Sequence, residues 1–149
     1  MQIDLDKRYQ ALVVLWFALL MNIGVFFLLS LFVAPGLGSE PGHAPSLLLI
    51  VGLMALGTFL VILSFAVKVK FLARSVEKQD VNLVQKALVI ACAMCEVSAL
   101  LGLLERFLIG NREYYLLFLI AAAGTAFHFP RREHLLAATY KASSNGSTF

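Results

Sequence analysis

Glu96 is the residue whose type and position most clearly suggest chemistry. It lies in the middle of a long apolar stretch, in the local sequence CAMCEVSA at residues 92–99. An ionised side chain at the centre of a membrane helix costs at least about 2.5–3.5 kcal/mol, so such residues usually face a bundle interior or a water-filled path. Glu96 could therefore bind a proton or another small cation, or it could hydrogen-bond a neighbouring helix. The candidate polar partners for such a bond are Asn22, Thr58 and Ser98.

The other reactive residues give weaker signals. Cys92 and Cys95 share one helix face, as in some redox and metal motifs, but no second pair of Cys or His residues accompanies them. In an apolar helix a cysteine usually acts as a small apolar residue. His128 and His134 are isolated, and no catalytic triad, phosphate loop or pair of catalytic carboxylates can be assembled. We therefore expect no catalytic residues, no metal site and no cofactor.

Small residues recur at helical spacing near Glu96. One face carries four of them: Ala91, Cys95, Ser98 and Gly102. A second group, which includes Gly124, occupies residues 121–126. Because small side chains let membrane helices approach closely, we expect these positions to form helix–helix contacts.

All of these residues lie in long apolar blocks. The chain has 149 residues, 60% of them hydrophobic and 14% charged, whereas soluble domains average about 45–50% apolar and about 25% charged. The blocks predict four membrane spans, at about residues 11–33, 46–67, 87–109 and 114–129. The proline- and glycine-rich segment Ala34–Pro45 predicts a surface loop. The prediction is one transmembrane domain, residues 1–141, followed by a disordered tail at 142–149.

Basic residues predict the orientation of these spans. They flank the N-terminal, central and C-terminal segments: Lys7, Arg8, Lys68, Lys70, Arg74, Lys78, Lys86, Arg131, Arg132 and Lys141. By the positive-inside rule, both termini and the central loop at residues 71–86 lie in the cytoplasm. The predicted fold is an all-α integral membrane four-helix bundle of two helical hairpins joined by this basic loop. We expect it in the bacterial inner membrane. No Lys- or Arg-rich run is present, so nucleic acid is not an expected partner.

The segment from about residue 73 to residue 109 contains ARSVE at residues 73–77 and EVSALLGL at residues 96–103. This pair of patterns resembles subunit c, the proteolipid of rotary ATP synthases. The resemblance implies that Glu96 is an ion-carrying carboxylate, and that Arg74 and Glu77 are loop residues facing the soluble rotor parts. Two features depart from the family pattern: Val76 stands in place of the loop proline, and the first and fourth spans are additional.

Three functions are compatible with this sequence. The first is an accessory, structural subunit of a larger membrane complex, with no chemistry of its own. The second is a proteolipid-like oligomer that binds H⁺ at Glu96. The third is a homo-oligomeric transporter of small solutes. All three require the lipid bilayer and either other membrane subunits or further copies of the chain as partners. The first function is the simplest of the three, because it does not require a single residue, Glu96, to bind an ion.

Overall fold

The computed structural model describes residues 2–32, 47–110 and 112–140, and it describes side chains for residues 5–32, 47–110 and 112–139. Within these ranges the chain forms helices joined by short turns, which confirms the all-α class. The helices are α1 (Gln2–Phe32), α2 (Leu47–Lys78), α3 (Val81–Leu104), α4 (Tyr115–Phe127) and α5 (Arg132–Tyr140). The predicted loop Ala34–Pro45, the span ends at 33 and 46, and the predicted tail lie outside the described residues.

Three of the helices are long and apolar enough to cross a membrane: Leu5–Phe32, Leu47–Lys78 and Val81–Ile109. The last of these is α3 together with the π-helical turn Glu105–Ile109 that follows it. About 20 residues are needed to cross the roughly 30 Å of hydrocarbon. Helix α4 has 13 residues, which is about 20 Å of helix, so it is shorter than a full crossing.

The structure corrects the prediction of a basic loop over residues 71–86. Helix α2 continues through the charged segment, and only Gln79 and Asp80 separate it from α3. Gln79 takes a left-handed backbone conformation, with φ of 53°, and the Asp80 carboxylate caps α3 by accepting a hydrogen bond from the backbone N–H of Asn82 at 2.9 Å. Lys, Arg and Glu are good helix formers, so the helix continues after the apolar block ends.

Helix α3 lies at the centre of the fold. It packs against α1, α2 and α4, and α4 also contacts both α1 and α2. Helices α1 and α2 form no substantial interface with each other within the described residues. Helices α3 and α4 therefore pack as a hairpin, whereas the predicted hairpin of the first two spans is not seen within the described residues, where α1, α4 and α2 form an arc around one side of α3.

The other side of α3 is left uncovered by the described residues. We call it the open face, and it consists of Val89, Ile90, Ala93, Val97, Leu100 and Leu104, all exposed. These residues follow one another at intervals of one, three or four, which places them along one side of the helix. The buried residues of α3 lie on the opposite side, and they include the small residues Ala91, Cys95 and Gly102.

Helix α5 closes the end of the fold at which α2 turns into α3. It contributes to a core cluster formed by Leu12, Val84, Leu88, Cys92, Leu135 and Ala138. Arg132 also pairs with Asp6 of α1 at 2.6 Å, an exposed ion pair that contributes little to stability. Burial lowers the pKa of His134, and the nearby cations Lys68 and Arg131 lower it further. The surroundings of His134 therefore favour its neutral form.

Candidate functional site

Glu96 bonds to α1 across the interior of the fold. The side-chain amide of Asn22 donates a hydrogen bond to Oε2 of Glu96 at 3.2 Å. The Glu96 side chain is half-buried. Its other oxygen, Oε1, is buried and has no hydrogen-bond partner among the residues that the structure describes. A buried polar atom without a partner costs about 1–3 kcal/mol. The carboxyl group therefore keeps an unsatisfied acceptor, which a proton, a cation or a further hydrogen-bond donor would satisfy.

The other two predicted partners do not reach Glu96 in the described structure. The Thr58 hydroxyl donates to the Met54 carbonyl of its own helix at 2.8 Å. Ser98 is buried, and its hydroxyl lies beside Gly57 of α2, 2.9 Å from where a Cβ on that glycine would be. The interhelical bond to Glu96 therefore comes from Asn22.

The predicted packing residues lie at the contacts between helices. Ala91, Cys95, Gly102 and Gly124 are all buried. A Cβ on Gly124 would lie 2.6 Å from Val61 Cγ1 and 3.0 Å from Cys95 Sγ, so glycine allows α4 to approach both α2 and α3. A Cβ on Gly102 would lie 3.1 Å from the Tyr114 carbonyl oxygen. These contacts also show that α4 runs antiparallel to α3.

Both cysteines are free thiols with no exposed surface. Cys92 belongs to the core cluster against α5, and Cys95 Sγ lies 3.7 Å from the Ser64 hydroxyl. Among the described residues, no group of three His, Cys, Asp or Glu side chains is placed to hold a metal ion. In this structure the two cysteines act as small buried packing residues.

A second polar contact, which the sequence did not reveal, joins α2 to the end of α4. The Ser64 hydroxyl lies 2.7 Å from Nε2 of His128, and both side chains are fully buried. The same hydroxyl donates to the Val61 carbonyl at 2.6 Å. Because a hydroxyl has one proton to donate, Nε2 of His128 donates to Ser64. Lys68 adds a bond from its ammonium group to the His128 carbonyl at 3.1 Å.

Helix α1 makes polar contacts with the rest of the fold on both sides of Asn22. Near the middle of α1 the indole of Trp16 donates to the Thr125 carbonyl at 2.7 Å. Near its C-terminal end the Arg106 guanidinium donates to the Ser30 carbonyl at 3.4 Å and stacks over the Tyr114 ring at 5.1 Å. The Asn22–Glu96 bond lies between these two contacts. The Asn22–Glu96 bond is thus the middle one of three polar contacts that hold α1 to α3 and α4.

The length and composition of the three long helices are those of a multi-pass membrane protein. No protein-family model matches the chain, and no curated protein and no solved structure matches it. The resemblance of residues 73–109 to subunit c therefore stays a prediction.

The Asn22–Glu96 bond is expected to contribute about 0.6 kcal/mol to stability, and at most about 1.7 kcal/mol, the range measured for polar contacts between membrane helices. A double-mutant cycle with Asn22→Leu and Glu96→Leu isolates this term, with the free energy of unfolding measured by denaturation in mixed micelles. The control cycle combines Asn22→Leu with Thr58→Val, whose hydroxyl bonds within its own helix, and should give no coupling. Equal coupling in the two cycles would contradict the assigned bond.

Proposed function

We propose that this chain is a small multi-pass subunit that packs into a larger membrane complex and supplies no chemistry of its own. The observation that carries the proposal is the open face of α3. A central helix is the one expected to be covered on all sides, yet Val97, Leu100 and Leu104 are 44%, 43% and 42% exposed. A membrane helix of a partner subunit would fill the space between α1 and α2 along this face.

Glu96 supports the same proposal because it lies at the margin of the open face. It is three residues from Ala93 and four from Leu100, so all three lie on neighbouring parts of the helix surface. The Glu96 side chain is half-buried, and an acidic residue beside hydrocarbon is unfavourable. A partner helix on the open face would shield this side chain from lipid.

The proposal includes four spans, with residues 114–129 as the fourth and both termini in the cytoplasm of a bacterial inner membrane. Two features support this topology. Helix α4 runs antiparallel to α3, as a returning span must. The exposed basic residues of the N-terminal, central and C-terminal segments surround the end closed by α5: Lys7, Arg8, Lys70, Arg74, Lys78, Lys86, Arg131 and Arg132. Such a concentration of Lys and Arg marks the cytoplasmic side.

A second candidate function is the binding of H⁺ or another small cation at Glu96, in a proteolipid-like oligomer. The free oxygen Oε1 favours it, because the Asn22 bond leaves half of the carboxyl group unsatisfied. In this reading, Asn22 orients the carboxyl group and Oε1 receives the ion.

The two candidates are separated by purification in a mild detergent, followed by mass measurement of the intact assembly. The accessory role predicts a complex with larger membrane subunits in fixed stoichiometry, and Glu96→Gln should retain both the complex and its activity. The ion-binding role predicts a ring of identical copies. It also predicts labelling of Glu96 by a hydrophobic carbodiimide, and loss of ion coupling in Glu96→Gln. Recovery of the chain only as a monomer would contradict both.

A further inference from the structure

One side of α2 is apolar in the middle of the helix and basic towards its C-terminal end. We call it the α2 outer stripe, and it consists of Phe59, Leu63, Ala66, Lys70, Arg74 and Lys78, all exposed. Successive members are three or four residues apart, which places them on one side of a helix. The stripe therefore consists of an apolar section followed by three cations.

The rest of the described fold leaves this stripe uncovered. The residues that α2 buries are Gly57, Val61, Ser64 and Ser75. At about 100° per residue, these four lie roughly a third of a turn or more from the middle of the stripe, and Lys78, three residues after Ser75, lies at the margin of the stripe. The stripe is also separate from the open face, which belongs to α3. The stripe therefore faces away from the other described helices.

The cations of the stripe have no partners within the described part of the chain. Lys70, Arg74 and Lys78 make no ion pair or hydrogen bond there, whereas the neighbouring Lys68 donates to the His128 carbonyl. The exposed Glu77 lies beside Arg74 and Lys78 and offsets one of the three charges. The basic section of the stripe therefore keeps a net positive charge that can bind an anion.

The length of the apolar section matches one leaflet of a bilayer. From Phe59 to Lys70 the helix advances 11 residues, about 16 Å at 1.5 Å per residue. One leaflet of hydrocarbon is about 15 Å thick. When Phe59 lies near the bilayer centre, Lys70 therefore lies at the level of the phosphates, and Arg74 and Lys78 lie at or just beyond the headgroups.

We propose that the α2 outer stripe is a binding site for an anionic phospholipid. Lys70 and Arg74 bind the phosphate of the headgroup, Lys78 contributes a further positive charge, and one acyl chain lies along Phe59, Leu63 and Ala66. Each cation near an anionic headgroup strengthens such binding by at most about fivefold. The site depends only on α2 crossing the membrane, so it does not rest on the proposed partner subunit at the open face.

Electron paramagnetic resonance of spin-labelled lipids tests this site with the full chain in phosphatidylcholine bilayers. We expect labelled phosphatidylglycerol to associate with the protein about fivefold more strongly than labelled phosphatidylcholine. The variant Lys70→Gln/Arg74→Gln/Lys78→Gln should lose most of that preference. The control Lys7→Gln/Lys86→Gln/Arg131→Gln removes the same charge from other exposed positions at the same end, and it should keep most of the preference.

Three results would overturn the proposal. One is equal association of the two lipids with the unmodified protein. Another is an equal loss of preference in the two triple variants, which would assign the effect to diffuse charge at the membrane surface. The third is exclusion of both lipids from the stripe by a partner helix or a second copy, seen as a protein crosslink from Ala66→Cys. If the first triple variant fails to fold, Arg74→Gln alone should still lower the preference about twofold.

Discussion

Gly124→Val is expected to destabilise the fold by about 1–3 kcal/mol, a cost typical of overpacking a well-packed interior. Even the first carbon of the new side chain would lie 2.6 Å from Val61 Cγ1 and 3.0 Å from Cys95 Sγ. Val61 is β-branched, so in a helix its side chain has one strongly preferred rotamer and cannot swing aside. Helix α4 must therefore move away from both α2 and α3 to accommodate valine.

Gly24→Val provides the matched control for this prediction. Gly24 lies within α1, and a Cβ there would meet no heavy atom within 4 Å. Both variants add the same side chain to a helical glycine, so their difference isolates the packing effect. Denaturation in mixed micelles should show a large loss of unfolding free energy for Gly124→Val and little change for Gly24→Val. Similar losses in the two variants would mean that α4 does not pack as described.

Ser64→Ala is expected to cost about 1–3 kcal/mol, because it leaves the buried ring of His128 without its partner. The Ser64 hydroxyl lies 2.7 Å from Nε2 of His128. The other ring nitrogen, Nδ1, is buried and has no hydrogen-bond partner in the described part of the chain. Removal of the hydroxyl would therefore leave both ring nitrogens unsatisfied in the interior.

Ser75→Ala is the matched control for the serine variant. Ser75 is also a buried serine of α2, and its hydroxyl donates to the carbonyl of Leu72, three residues earlier. Because this bond is local, its loss should have a small effect on the free energy of unfolding. Adding His128→Leu to Ser64→Ala should recover part of the loss, since the unsatisfied ring is then gone. Equal effects of Ser64→Ala and Ser75→Ala would rule out a stabilising role for the contact with His128.

The sequence was sufficient to predict the features that depend on local pattern. The apolar blocks predicted the all-α class and the approximate positions of the three long helices, because hydrocarbon selects for runs of apolar residues. The isolated polar residues Asn22 and Glu96 were possible hydrogen-bond partners of each other, because polar groups within apolar helices tend to find partners. The hydroxyl of Thr58, another possible partner, donates instead to its own backbone four residues earlier, as threonine in a helix often does.

The features that sequence reasoning missed depend on contacts between distant residues or on helix continuation. The contact between Ser64 and His128 spans 64 positions and carries no local signal. The arc of α1, α4 and α2 around α3 follows from close approach at Gly57, Gly102 and Gly124, and spacing alone cannot rank such contacts. The charged segment at residues 71–86 predicts a loop only if charge ends a helix, whereas here charge marks only the end of the apolar section of α2.

Site-specific photo-crosslinking in native membranes tests most directly whether a partner helix covers the open face of α3. A photoreactive amino acid is placed at Val97 or Leu100 on the open face, or at Val14 on the exposed outer side of α1. We expect discrete protein adducts from Val97 and Leu100 and lipid adducts from Val14. Lipid adducts alone from all three positions would contradict this expectation.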